Sequence, residues 1–231
     1  ALGVPAGQIH IWDKRLSDLR RAGFGELAEK FGVQLAGAAD EGYDGDEFYE
    51  VALLGKLVWG DHDFNRKHEL SERRSYLTRL LTRKFTKIIN VTPLLNHNLA
   101  GVAGNLFTLT MDSVDNSIRF ESSPEHLAQA VAELYAREAV GDKVVLNIVD
   151  ALLCQYQGEE RTLLHYSVML GQLWFSTDPL ALDLLSLREI RRQRERSGAD
   201  LPRPNLKIYS HSALLELGVA DTNRIDVIHV P

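Results

Sequence analysis

Cysteine is nearly absent from this chain: Cys154 is the single one among 231 residues. One cysteine cannot form an intrachain disulfide or a Cys-x-x-Cys metal or cluster motif. Long apolar runs are also missing, since none approaches the roughly 20 residues that a membrane-spanning helix needs. No secretory signal peptide is recognisable at the start. The sequence therefore excludes a disulfide framework and predicts no membrane span.

An excess of positive charge is missing as well, because the formal net charge is -6. Proteins that bind nucleic acid broadly are usually basic, so we predict no nucleic-acid partner. The basic residues are nevertheless clustered, with eight between Arg66 and Lys87 and five arginines between Arg188 and Arg196. Each cluster is typical of a solvated helix face, and the alternative is a surface for an anion or an acidic partner.

Hydrophobic residues make up 45% of the chain and charged residues 25%, the ordinary globular mixture. The length suits one large domain, so we expect a single domain over residues 1–231, with residues 40–70 as a flap or subdomain. The chain begins with Ala1, and its first residues are typical of a helix end that leads into a strand. We therefore expect an N-terminal portion to precede it in the full protein.

Patterns of strands and helices alternate along the chain. Strands are predicted at residues 8–13, 33–38, 48–60, 87–91, 143–150, 171–178 and 224–230. Helices are predicted at residues 15–31, 71–84 and 210–217, after the cap Ser123 and from Pro179, with a loop at 40–47. This alternation predicts an α/β fold with a mixed, largely parallel sheet and helices on both faces.

Polar residues follow or end three of the predicted strands. In open α/β sheets, ligands bind beyond the carboxyl ends of the strands. We therefore predict that three candidate catalytic residues converge on one crevice there: His97, Asp150 and Asp178. The predicted ligand-binding residues are Asn96, Asn98, Gly101, Gly104, Ser176 and Thr177, and the glycines allow close backbone approach.

Each candidate also has a purely structural interpretation. Asp178 precedes Pro179 and would be a good helix N-cap. Asp150 could end its strand in an Asx turn, and His97 could donate to a backbone carbonyl. Asp183, just over one helical turn after Asp178, is expected to be a surface or packing carboxylate.

Sequence motifs for metals and common cofactors are weak. His62 between Asp61 and Asp63 is a second cluster, but no spacing joins it to His97, so we predict no metal site. There is no GxGxxG after a strand, no P-loop and no GxSxG elbow. The sequence therefore names no cofactor.

Four segments together resemble the DUF362 family of uncharacterised bacterial and archaeal proteins. They are "FTKIINVTPLLNHNLAGVAGNLFTLTMDSVDN", "LNIVDALLCQYQGEE", "LWFSTDPLALDLLSLREI" and "LLELGVADTNRIDVIHV". The most specific part is "STDPLALD" combined with "LGVADTNRIDV". Relatives in this family are longer at the N-terminus and some carry a twin-arginine export signal, so the resemblance leaves a cytoplasmic and an exported location open.

The chain departs from the family in the loop around "HNLAGVAG". The family pattern resembles "KDHNLAGVTGALKNL", and here Leu95 and Phe107 stand at its two lysine positions. Two cations that could hold an anion are thus replaced, while the frame from Gly101 to Gly104 is kept. We expect a domain that binds a small anionic ligand or a protein partner in the crevice. The alternatives are an enzyme or cofactor-handling protein using His97, Asp150 and Asp178, or a subunit whose N-terminal portion completes the sheet.

Overall fold

The computed structural model describes residues 3–50, 74–158, 163–201 and 205–230. The chain divides into two compact units, residues 1–85 with 112–119 and residues 86–111 with 120–231. Of the expected flap or subdomain at 40–70, residues 51–70 lie outside the described part.

In its described residues, the first unit contains two small two-stranded sheets. β1 pairs with β2 in parallel, and β3 pairs with β4 antiparallel. The elements are β1 (His10–Asp13), α1 (Leu16–Arg21), α2 (Phe24–Phe31), β2 (Gln34–Gly37), α3 (Ala38–Glu41), β3 (Tyr43–Glu50) and β4 (Arg74–Thr78), followed by a π-helical turn, Leu80–Lys84. One helix was predicted where α1 and α2 lie, and the left-handed backbone of Gly23 (φ 87°) separates them.

Two sequence predictions fail in this unit. The predicted loop at residues 40–47 is occupied by α3 and the start of β3. The predicted helix at 71–84 contains the strand β4, in which Ser75 and Leu77 are buried while Arg74 and Tyr76 are half-buried. That period of two fits a strand, and pairing with β3 overrides the helical propensity of the segment.

The basic cluster between Arg66 and Lys87 forms ion pairs where the structure describes it. The hydrogen bond from Arg83 to Asp44 (2.7 Å) holds the pKa of that carboxyl well below its usual value. The other pairs are Arg74 with Glu50 (3.0 Å) and Lys84 with Glu41 (3.4 Å). These cations therefore pair with carboxylates of the same unit.

The second unit is built on one four-stranded sheet in the order β6-β5-β7-β8. β5 and β7 are parallel, whereas β6 and β8 run antiparallel to their neighbours. The elements are β5 (Ile88–His97), β6 (Gly101–Val102), α4 (Asn105–Asp112), α5 (Pro124–Tyr135), β7 (Val144–Gln155), β8 (Ser167–Ser176), α6 (Pro179–Ser197) and α7 (Lys207–Leu214). The predicted α/β class with mixed sheets is confirmed.

The two faces of this sheet differ. On the inward face Asn90 and Asn147 are buried, and Asn90 bonds to Asn105 of α4. On the outward face the side chains of Val91 and Phe175 are each 59% exposed. The outward face therefore presents exposed apolar side chains in the part of the chain that the structure describes.

Several predicted bounds are also corrected. β5 and β7 extend beyond the predicted strands, because residues at their ends still pair with a neighbouring strand after a shift in register. Residues 225–230, predicted as a strand, have no regular structure. In α6, Arg194 was expected to reach solvent, but it is buried and its Nε donates to the carbonyl of Tyr156 (2.5 Å).

Candidate functional site

The direction of β8 separates His97 from Asp178. β8 is antiparallel to β7, so Ser176 pairs with Asn147 near the start of β7. The end of β5 lies instead beside Gln155, at the far end of β7. Eight residues of extended strand, roughly 25 Å, lie between these two positions. The prediction of one shared crevice is therefore wrong, because it assumed that all three strands end at the same edge.

Asp150 lies inside β7 and not at its end. It pairs with Pro93 of β5 and Leu173 of β8, on the outward face. Its Oδ1 accepts a hydrogen bond from the backbone nitrogen of Leu152 (3.0 Å), as an Asx turn would. The register shifts directly after Asp150, so this contact stabilises an irregularity in the strand.

His97 closes the tight connection between β5 and β6. Its ring is buried, and Nδ1 accepts a hydrogen bond from the backbone nitrogen of Ala100 (3.1 Å). In the neutral ring, an accepting Nδ1 leaves the proton on Nε2. The ring centroid of Phe107 lies 4.3 Å away. The structural interpretation of His97 was a hydrogen bond donated to a backbone carbonyl. The bond seen at Nδ1 runs the other way, because the ring accepts it from a backbone N–H.

The other predicted ligand-binding residues near His97 have different environments. Asn96 is buried and pairs with Val102 across the β5–β6 hairpin, whereas Asn98 is exposed on the connection. Gly101 has a left-handed backbone (φ 86°), a conformation that favours glycine. The sequence therefore located a real turn, and its glycine has a backbone role there.

Asp178 is the N-cap of α6, as its structural interpretation predicted. Its Oδ1 accepts from the backbone nitrogen of Ala181 (2.8 Å) and its Oδ2 from that of Val219 (2.7 Å). A Cβ at Gly218 would lie 2.0 Å from Oδ1, so the chain there must be glycine. Both oxygens of Asp178 thus join the start of α6 to the "LGVAD" segment.

The side chains before Asp178 are also placed by this turn. Ser176 Oγ accepts from the backbone nitrogen of Asp178 (2.9 Å), and Thr177 is exposed. Ser176 therefore contributes to the cap, and it lies with Thr177 at the sheet end opposite to His97.

Asp183 is the site residue that sequence reasoning missed. It is buried, and it accepts from the backbone nitrogens of Asn105 (2.6 Å) and Leu106 (3.0 Å) and from Asn105 Nδ2 (3.0 Å). Those backbone groups form the first turn of α4, where N–H groups lack helical partners and the helix dipole is positive. The sequence held a signal for this, because Asp183 lies three residues after the apolar Leu180 and so on the same helical face. Leu180 is buried in the structure.

The glycine at the end of "GVAG" makes room for this carboxylate. A Cβ on Gly104 would lie 2.3 Å from Asp183 Oδ1, much closer than any side-chain carbon can approach. The predicted role of Gly104 was close backbone approach to a ligand. The group that approaches is a carboxylate of the protein itself.

A buried amide network continues from Asp183 onto the sheet. Asn90 Nδ2 donates to the carbonyl of Asn105 (3.0 Å) and to Asn147 Oδ1 (3.3 Å). Burial raises the pKa of Asp183 to about 6. Burial, with the charge of Asp183 as a further cause, also raises the pKa of Tyr135. The centre of this unit is therefore a polar core around one carboxylate.

Three further features of the described residues limit the chemistry of the chain. No group of three or more His, Cys, Asp and Glu side chains there could hold a metal ion, and the cluster around His62 lies outside them. None of the helices seen is long and apolar enough to cross a membrane. Burial raises the pKa of the Cys154 thiol to about 12, so the thiolate is disfavoured.

Comparison of the chain with protein-family models, with curated proteins and with solved structures gives no match.

Proposed function

We propose that this chain is a DUF362-like α/β domain that binds a protein partner, and that it does so through the outward face of the sheet in the second unit. The observation that carries the proposal is the composition of that face. Val91, Ile148 and Phe175 are register partners on three neighbouring strands and form one apolar row. Val91 and Phe175 are each 59% exposed.

The apolar surface continues on both sides of this row. Ile89 of β5 is 58% exposed and pairs with Leu146, and Leu173 of β8 is 51% exposed. Soluble proteins rarely expose contiguous apolar side chains over several strands unless they bind something there. Covering such a surface is favourable by about 25 cal/mol per Å² of apolar area. A partner with an apolar surface is therefore the occupant that this face favours.

Asp150 adds a chemical requirement. It lies in the next row between Pro93 and Leu173, and one of its oxygens accepts from Leu152. A partner that covered this carboxylate without compensating it would pay a desolvation penalty. A lysine or arginine opposite Asp150 would compensate, through a charge-assisted hydrogen bond. The proposed partner segment is therefore apolar with one central cation.

The enzyme alternative has less support from the same side chains. His97 Nδ1 and both oxygens of Asp178 are engaged by backbone N–H groups. A general base needs an available lone pair within reach of its substrate. A small anion at the first turn of α4 would also compete with Asp183, which already occupies those donors. These contacts favour binding of a partner over catalysis.

The proposal is tested by selecting peptides from a display library on the immobilised protein. Each selected peptide is then measured by fluorescence anisotropy against the protein and its Val91→Lys variant. We expect selected peptides to be apolar with one basic residue, to lose at least tenfold in affinity for Val91→Lys, and to bind Asp150→Asn several-fold more weakly. Thr177→Lys, an exposed change outside the face, is the matched control. Peptides that bind the protein and Val91→Lys equally would contradict the proposal.

A further inference from the structure

We propose that two copies of this chain pair antiparallel through the edge strand β8, which would join their sheets into one mixed sheet of eight strands. The occupant of the edge is thus a second copy of the chain. This inference concerns the edge of the sheet, and although it shares Leu173 and Phe175 with the proposed partner surface, it does not rest on that proposal.

The first observation is that β8 is an edge strand with little protection. Within the described residues it pairs with β7 alone. Its ten residues, "SVMLGQLWFS", include no charged side chain and no proline. Natural sheets usually protect an edge strand with lysines, prolines, bulges or short length, because its unpaired N–H and C=O groups are a template for another strand.

One protective device is present, and it leaves most of the edge regular. Gly171 has a left-handed backbone (φ 66°) where the β7–β8 register shifts. This bulge separates residues 167–169 from residues 172–176. The second segment is five residues long and pairs with β7 at every position from Gln172 to Ser176. Five regular residues are enough for an antiparallel pair of ordinary strand length.

The second observation is that the edge is self-complementary. An antiparallel strand pair can lie across a twofold axis, which makes the same residues contact one another from both copies. β8 carries no charge that would be repelled by its own image. Its apolar side chains are exposed, with Met169 at 81%, Phe175 at 59% and Leu173 at 51%. Pairing around Trp174 would place Leu173 of each copy beside Phe175 of the other.

The regular segment also offers apolar side chains to cover. Leu173 and Phe175 lie beside the twofold axis and together present apolar surface on the order of 200 Å² per copy, less than the about 800 Å² per partner of a standard interface. The strand backbone and Trp174, which is half-buried, add to this area. The edge therefore favours a dimer that is held mainly by main-chain hydrogen bonds.

Asp150 distinguishes edge pairing from stacking of the two outward faces. Stacked faces would bury Asp150 of each copy in an apolar interface, where a desolvated carboxylate is costly. Edge pairing leaves Asp150, which lies on β7, outside the contact between the two β8 strands. The charge distribution thus favours the edge.

The test is the mass of the intact chain by sedimentation velocity and light scattering at micromolar concentrations. We expect a species of twice the 25.9 kDa of one chain. The double variant Leu173→Lys/Phe175→Lys places like charges about 5 Å apart across the new strand pair, so we expect it to be monomeric. Val91→Lys is the matched control, on the same face but about 10 Å from β8. We expect this control to remain a dimer.

Each outcome decides the inference. A wild-type chain of 25.9 kDa throughout the concentration range would overturn it. Loss of the dimer in Val91→Lys would also overturn it, because only stacked faces would sense that charge. Thermal unfolding of each variant checks that it is folded. Partner binding is tested by peptide affinity of Val91→Lys and dimer formation by mass, so either proposal can fail while the other stands.

Discussion

Asp183 Oδ1 lies 2.6 Å from the backbone nitrogen of Asn105, although 78 residues separate them in the chain. The carboxylate fills the first turn of α4, where an exogenous anion would otherwise be attracted. Gly104 allows this contact because it has no Cβ. "GVAGN" and "STDPLALD" therefore act together as one structural unit, although they are distant in sequence.

Replacing Asp183 by alanine should destabilise the protein strongly. The change leaves two backbone N–H groups and Asn105 Nδ2 without their acceptor in a buried position. Each unsatisfied buried donor costs about 1–3 kcal/mol, so we expect a loss of about 3–5 kcal/mol in the free energy of unfolding, measured with urea. Glu133→Ala, on a half-buried side chain of α5, is the control and should cost under about 1 kcal/mol. A comparably small loss in Asp183→Ala would contradict the assignment.

Gly104→Ala should destabilise the protein because its Cβ would lie 2.3 Å from Asp183 Oδ1. We expect a loss of about 2 kcal/mol or more, as in other overpacked sites. Gly45→Ala, where a Cβ meets nothing within 4 Å, is the control. In the double variant Gly104→Ala/Asp183→Ala the two losses should be less than additive, because removal of the carboxylate makes room for the methyl group. Strict additivity in the urea measurements would show that the two positions are not coupled.

Asp178→Ala should cost more than the loss of an ordinary cap. It removes the hydrogen bonds from Ala181 and from Val219. We expect a loss of about 2 kcal/mol, compared with about 1 kcal/mol for Ser123→Ala at the start of α5, where the side chain accepts only from His126. Both variants are measured by thermal and urea unfolding. If Asp178→Ala and Ser123→Ala lose the same stability, the bond to Val219 contributes nothing.

The stability should depend on pH through Asp183. Its pKa is raised from 3.8 to about 6, chiefly by burial, so the folded state binds the proton more tightly than the unfolded state. The contribution of Asp183 to the free energy of unfolding is then largest below pH 4, falls as the pH rises through 6, and is constant above that. The total fall is about 3 kcal/mol. The difference in unfolding free energy between wild type and Asp183→Asn, measured from pH 4 to 7, should show this fall. A difference that stays constant over this range would refute the raised pKa.

The loop around "HNLAGVAG" resembles a pattern with lysine at positions 95 and 107, so two lysines can be introduced there as a test of that resemblance. Leu95→Lys with Phe107→Lys should raise the affinity for phosphate and small dicarboxylates at low salt, since each charge-assisted bond is worth about 1.5–3 kcal/mol. Stability should fall, because Phe107 is buried against His97. Titration calorimetry of both forms provides the measurement. Tight binding by the unaltered chain, unchanged in the variant, would contradict the alignment of this loop.

The sequence by itself determined the features that depend on local chemistry. The caps at Ser123 and Asp178 were predicted because Ser-Pro and Asp-Pro at a helix start favour one backbone geometry, and both accept the expected backbone hydrogen bonds. The α/β class followed from alternating periodicities, which are also local. The turn at Gly101 was located for the same reason.

Only the tertiary structure decided which strand ends share an edge and which carboxylate matters most. The direction of β8 depends on its pairing with β7, and the apolar composition of a strand is the same in either direction. The role of Asp183 depends on the approach of α4 from 78 residues away. The strand β4, predicted as a helix, forms because pairing with β3 outweighs local propensity. In each case the deciding interaction joins distant residues, and a local pattern carries no information about it.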